Sequence, residues 1–207
     1  VKLELEKFER FTDKGKKRIA EICKIAARVF DEKGYLVATM EDVARASGVT
    51  KGGIFHYFPR KEELLFLILY RYVDSSLRTL KKKLEPCETA QQRIYVFIQH
   101  HLGNYQKNQA ESRLALRERT NLPENYLIPL KALEREYREI LKSLVLSLVK
   151  DKHWQEEILA TYTLLGMVSF PYVWFNPNLK RKSKDLGDFI YKIYVGGLEN
   201  PKDVTGN

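Results

Sequence analysis

The chain has 207 residues, 44% hydrophobic and 30% charged, which allows a sizeable core and excludes an intrinsically disordered chain. Its formal charge of +9 favours a polyanionic partner such as nucleic acid. No apolar run approaches the roughly 20 residues of a membrane span. The opening "VKLELEKFERFTDKGKKR" lacks the apolar stretch of an export signal, and Cys23 and Cys87 are too few for a disulfide framework, so a soluble protein of the reducing cytoplasm with no membrane partner is expected.

In chain order the pattern predicts helix after helix. From Lys14 to Lys33, Ile19, Ile22, Cys23, Ala26, Ala27 and Phe30 recur at helical spacing and mark one buried face, which Gly34 ends. "TMEDVARASG" predicts a short helix, with Thr39 and Asp42 at capping-box spacing and Gly48 as its stop. "PRKEELLFLILYRYVDSSLRTLKKKL" predicts a long helix, with Glu62 and Glu63 at its positive end. After the break "EPCET", helical patterns are expected over 89–107, Glu111–Arg119, 125–150, 154–170 and 184–198. The stretch 154–170 is nearly apolar all round, as in a helix buried deeply or at an interface. "PYVWFNPNLKRKSK" reads as a proline-punctuated connection with a basic end. No strand-like alternation appears, so the expected fold is all-α.

Between the two early helical patterns stands "TKGGIFHYF", residues 50–58. Two adjacent glycines weaken a helix by roughly 1 kcal/mol each, yet three aromatics and a histidine follow at once. The short helix at 39–47, a turn at Gly48, Val49 and Thr50, and a second short helix over 51–58 form a helix-turn-helix pattern. In such a unit the second helix enters the major groove, N-terminus first. Thr50 would cap it, and Gly52 and Gly53 would let backbone approach the duplex. Ile54 and Phe58 would anchor it to the core, and Phe55, His56 and Tyr57 would face sugar, phosphate and base methyls. The competing reading is a glycine turn with aromatics packed beneath it.

"FDEKGYLVATMEDVARASGVTKGGIFHYFPRKEELL", residues 30–65, closely resembles the DNA-binding domain of TetR-family transcriptional regulators, and the match reaches back to about Lys17. It is carried by Thr39, "ARASGV", "KGGIFHYF" and "KEELL". Ser47 stands where alanine is usual in the family, and Phe55 where tyrosine is common, so a hydroxyl contact to phosphate should be missing there. The resemblance implies a three-helix helix-turn-helix DNA-binding domain over 1–60, joined to a larger helical ligand-binding and dimerisation domain over 61–207. It also implies roles: Thr39 and Lys61 on phosphates, and Thr50, Lys51, Gly52, Gly53, Phe55, His56 and Tyr57 at the double-stranded DNA. Lys14, Lys16, Lys17 and Arg18 read equally as phosphate contacts or as a solvated helix start.

Family members work as dimers joined mainly by their last two helices, here 154–170 and 184–198. The resemblance therefore implies a homodimer on a near-palindromic operator, its reading helices about one helical turn apart, roughly 34–36 Å or somewhat more. It further implies a pocket in the C-terminal domain for a small apolar or amphipathic effector. Phe97, His101 and Tyr105 share one helix face, and Tyr126, Tyr137, Tyr162 and Met167 could meet them; a plain core stripe accounts for the same residues.

Other candidates are weaker. His100 and His101 are adjacent and so point about 100° apart on a helix, not the i, i+4 arrangement of a metal pair, and His153 reads as exposed. Cys23 reads as buried filler and Cys87 as more exposed, open to a redox role with only Lys81–Lys83 nearby to lower its pKa. "LKRKSK" reads as a solvated loop. No nucleophile–base–acid set and no phosphate loop is present, so neither catalytic residues, nor a metal, nor a cofactor is expected. The expected function is a ligand-responsive transcriptional regulator, a repressor released from its operator by the effector. The alternative is a DNA-binding protein of the same fold that acts structurally or through a protein partner, with no small-molecule effector.

Overall fold

A computed structural model describes residues 11–148, 154–176 and 182–199, with the side chains of 154–156 and 199 left aside. His153 and residues 179–181 of the basic stretch lie outside the described residues. The helices are α1 (Asp13–Lys33), α2 (Met40–Ser47), α3 (Lys51–Tyr57), α4 (Lys61–Leu84), α5 (Ala90–Lys107), α6 (Gln109–Arg117), α7 (Glu124–Leu146), α8 (Trp154–Ser169), α9 (Pro171–Trp174) and α10 (Ser183–Glu199), with a 3₁₀ turn at Arg119–Asn121. No strand occurs among the described residues, so the fold is all-α as expected. The helix α9 is a correction: its proline pointed to an open connection, but Pro171 sits in the first turn, where a missing N–H costs nothing.

The chain divides into two compact units, Val1–Ser75 with Asn108–Glu134, and Ser76–Lys107 with Arg135–Asn207. This cuts the chain differently from the functional division expected at residues 60 and 61, because α6 and the start of α7 pack within the first unit. There Arg113 of α6 grips the Asp31 carboxylate of α1 through its Nε at 2.8 and 3.0 Å and through a second nitrogen. Leu114, Leu122, Tyr126 and Leu130 join the same core as Ile22, Phe30, Val43, Ile54, Phe58 and Leu65.

The second unit has its own core. Ile94, Phe97, Ile98 and Leu102 of α5 meet Leu141, Leu144 and Val145 of α7, Leu164 and Val168 of α8, and Ile190 and Tyr194 of α10. Polar contacts set α10 against α5: Asp188 accepts from Tyr95 Oη at 2.8 Å and from Gln99 Nε2 at 2.7 Å. The approach is close at Gly187, where a Cβ would stand 2.6 Å from the Gln99 amide nitrogen.

Apolar side chains nevertheless remain exposed on the surface of this unit. Leu159 and Tyr162 on α8, Phe170, Val173 and Trp174 at α9, and Phe189 and Ile193 on α10 are all about half exposed or more. The faces of α8, α9 and α10 enclose a groove of about 670 Å³ lined by Met167, Phe170, Pro171, Trp174, Phe189 and Ile193, among others. No helix among the described residues is long and apolar enough to cross a membrane.

Candidate nucleic-acid interface

The two short helices of the first unit are set by their caps. Thr39 Oγ1 accepts from the Asp42 N–H at 3.1 Å, and the Asp42 carboxylate accepts from the Thr39 N–H at 3.0 Å, a complete capping box. Asp42 also accepts from Lys33 at 2.6 Å and Arg45 at 2.9 Å. Its carboxyl is held well below the usual carboxylate range, first by the Lys33 bond and next by the Thr39 N–H. Gly48 ends α2 at φ 65°, the left-handed region that glycine enters without strain, and its N–H donates back to Ala44 and Arg45. Two further contacts secure this end. Arg18 Nη2 donates to the Ser47 carbonyl at 2.8 Å, and Ser47 Oγ donates to the Val43 carbonyl at 2.7 Å. Ser47 thus satisfies its hydroxyl internally. Arg18 is tied to α2, while Lys14, Lys16 and Lys17 are exposed.

Thr50 caps α3 by accepting from the Gly53 N–H at 3.1 Å. Ile54 and Phe58 are fully buried, four residues apart, and fix the helix on the core. The two glycines then separate. A Cβ on Gly53 would stand 3.1 Å from Thr50 Oγ1 and 3.3 Å from Val49 Cγ1, so this position is tight inside the turn. A Cβ on Gly52 would meet nothing within 4 Å, and only Gly34 and Gly48 have positive φ among the described residues. Among the described residues, neither backbone conformation nor internal packing demands a glycine at Gly52.

The side chains after the glycines split as well. Phe55 and His56 are exposed. Tyr57 is half-buried with its ring 5.7 Å from that of Phe11, so it packs inward more than the sequence reading expected. Lys51 is exposed and its ammonium lies 2.7 Å from the Glu41 carboxylate on α2. Lys61 points inward. Its ammonium donates to the Tyr35 carbonyl and, at 3.4 Å, to the Leu36 carbonyl, and stands 4.3 Å from the centre of the Tyr35 ring. Burial lowers its pKa. Free cation and folded contact therefore compete at Lys61, which nothing in the local sequence signalled.

In the second unit the structure assembles three of the effector candidates. Phe97, His101 and Tyr137 have ring centroids 5.4–6.1 Å apart, and His101 Nδ1 lies 3.1 Å from Tyr137 Oη. Tyr105 is buried on the same helix, and Met167 lines the groove at α8 to α10. Two other candidates lie apart from this cluster. Tyr126 belongs to the first unit, its ring tilted against that of Phe66 with centroids 4.9 Å apart and its hydroxyl accepting from Arg60 Nη2 at 2.9 Å. Tyr162 is turned outward. Ser76 Oγ lies 3.1 Å from His100 Nε2, a buried polar contact that the sequence did not suggest. Burial holds both His100 and His101 down at a pKa of about 4.

Cys23 is buried, and desolvation pushes its thiol up to about 12. Cys87 is also buried, against expectation, with its thiol donating to the Lys83 carbonyl at 3.3 Å, because "EPCET" folds back under the end of α4. Among the described residues no group of three metal-ligating side chains gathers.

A capped helix, a left-handed glycine turn and a second capped helix presenting its N-terminus outward make a helix-turn-helix unit. Comparison with known proteins agrees. A model of bacterial regulatory proteins of the tetR family matches residues 22–68, and one of tetracyclin-repressor-like C-terminal domains matches 87–198. The chain belongs to the TetR family of transcriptional regulators. Among curated relatives, it is 42% identical over 69 residues to the uncharacterised regulator YfiR of Bacillus subtilis (strain 168), covering 33% of this chain and 34% of that one. It is 37% identical over 57 residues to the transcriptional repressor KstR2 of Rhodococcus jostii (strain RHA1), covering 28% of each. The matched part is thus about a third of these relatives' length. The fold of the whole chain resembles that of the regulator FadR from Bacillus subtilis, solved in complex with stearoyl-CoA, with a TM-score of 0.72 at 19% identity over 86% of this chain and 98% of that one.

Proposed function

We propose that the protein is a dimeric repressor that reads a near-palindromic operator with α3 and releases it when a small apolar or amphipathic effector binds the second unit. The observation that supports DNA reading most directly is Gly52. It weakens a short helix, and nothing among the described residues requires it. A surface that must come against another molecule's backbone does. The N-terminus of α3 also carries Lys51, a cation at the helix end that disfavours cations and attracts phosphate. In this reading residues 1–60 bind DNA, Thr39 and Thr50 present their helix N-termini to phosphates, and Lys51, Phe55 and His56 face the groove. Gly53 and Tyr57 shape the helix from within, and Lys61 fixes the preceding loop. Residues 61–207 carry the effector site and the dimer contact.

The exposed apolar faces of α8, α9 and α10 support dimerisation, since a monomer rarely leaves such a patch to water. In this reading the effector site is the cluster of Phe97, His101 and Tyr137, buried or half-buried in the second unit with imidazole and phenol bonded to each other, and its lining suits a mostly apolar molecule. The stearoyl chain of the ligand in the FadR structure fits that apolar lining, whereas its charged CoA part would need other partners.

Selection of bound duplexes from a random pool, followed by titration at two salt concentrations, tests the proposal. A recovered inverted repeat bound by a dimer is expected, with log K falling by about 0.9 per phosphate contact against log salt. Binding that depends on no sequence, with no molecule carried or accepted by the second unit, would favour the structural DNA-binding alternative.

A further inference from the structure

We propose, resting on the DNA-binding reading above, that Glu41 is a positioning residue for sequence discrimination: its carboxylate holds the Lys51 ammonium toward the groove and keeps it from serving any nearby phosphate. The pair spans the two helices of the reading unit, with Lys51 Nζ 2.7 Å from Glu41 Oε1. Both side chains are substantially exposed, 71% and 46%. An exposed pair of this kind contributes little to folding. Nor does α2 need this carboxylate for its cap, because Asp42 closes the capping box and takes Lys33 and Arg45 as well. A carboxylate on a face that approaches a polyanion is repelled by it, so its presence there calls for a role in binding.

Lys51 supplies that role. It is the first residue of α3, whose first turn has no acidic side chain to balance it. An ammonium has three donors. One can stay on Glu41 while the others reach acceptors on a base edge, such as guanine O6 and N7. On a duplex without that acceptor, the ammonium gains a partner only by swinging out to a phosphate. That move would abandon Glu41 and leave an unpaired anion facing the DNA, so on such a duplex the ammonium stays on Glu41. The carboxylate thereby weakens non-specific binding more than operator binding, which is how a repulsive group produces specificity. The Glu41 carboxyl is held below its usual range chiefly by the Lys51 bond.

The test is a double-substitution cycle. Unmodified protein, Glu41→Gln, Lys51→Ala and the double variant are titrated against an operator selected from a random pool and against a scrambled duplex, at two salt concentrations. Glu41→Gln is expected to tighten scrambled binding roughly two- to fivefold, the range of an exposed ion pair, and to change operator binding less. Its salt slope on the scrambled duplex should steepen by about 0.9 as the freed ammonium takes a phosphate. In the Lys51→Ala background the Glu41 substitution should no longer alter the ratio of the two affinities. Equal tightening on both duplexes would show plain charge removal and overturn the proposal. A ratio change that persists without Lys51 would show Glu41 reading a base itself and overturn it too. If the unmodified protein bound no duplex, the DNA-binding reading would fall, and this inference with it.

Discussion

The Lys61 ammonium stands 4.3 Å from the centre of the Tyr35 ring, on the loop that leads into α2. With its bonds to the Tyr35 and Leu36 carbonyls, it is committed to the protein rather than to solvent. Lys61→Ala should therefore cost stability, about 1–3 kcal/mol from the lost charged hydrogen bond and cation–π contact. It should also weaken operator and scrambled binding by similar factors. Urea unfolding alongside the titrations checks this. An unchanged midpoint with a salt slope shallower by about 0.9 would instead place Lys61 on a phosphate.

The histidines of the second unit set a pH dependence. His100 and His101 have folded pKa values lowered from 6.5 to about 4, by burial first and by neighbouring positive charge second. The unfolded chain takes up protons below about 6.5 that the folded chain refuses until about 4. Stability is therefore fully present above pH 6.5 and falls as the pH drops through that window, by at most about 1.4 kcal/mol per pH unit for each histidine. Urea unfolding at pH 7, 6 and 5 should show the loss, and His100→Asn or His101→Asn should flatten it relative to the unmodified protein. Equal slopes in all three proteins would contradict the assignment.

Phe189 and Ile193 on α10, 62% and 49% exposed, line the groove between α8, α9 and α10. Phe189→Glu or Ile193→Glu should give a folded monomer, because neither change opens a packed core. Leu165, by contrast, is packed against the core of the second unit, so a charge there would test folding. Sedimentation at micromolar concentration with circular dichroism distinguishes these outcomes. A dimer that survives both glutamates would move the interface elsewhere.

Much of this was legible in the sequence, for reasons that are local. Ile19 to Phe30 repeat at helical spacing, Gly34 and Gly48 stop helices where φ turns positive, and Thr39 with Asp42 spells its own cap. What stayed hidden depends on partners far along the chain. Lys61 is matched 25 or 26 residues away, Tyr126 finds Arg60 and Phe66, and Lys51 finds Glu41 across the turn. Gly52 and Gly53 look alike as letters, and only the neighbours of a missing Cβ tell them apart.

That distinction supplies the most direct test of the account, Gly52→Ala. Space is open at this position and the backbone is helical, so alanine should raise folding stability by about 0.5–1 kcal/mol. The same methyl should stand where the duplex backbone comes in. Urea unfolding and titration against the selected operator, run on the same preparation, decide the matter. A more stable protein that binds the operator at least about tenfold more weakly is expected, a loss of roughly 1.4 kcal/mol. A more stable protein with unchanged operator binding would take the N-terminus of α3 out of the interface and contradict it.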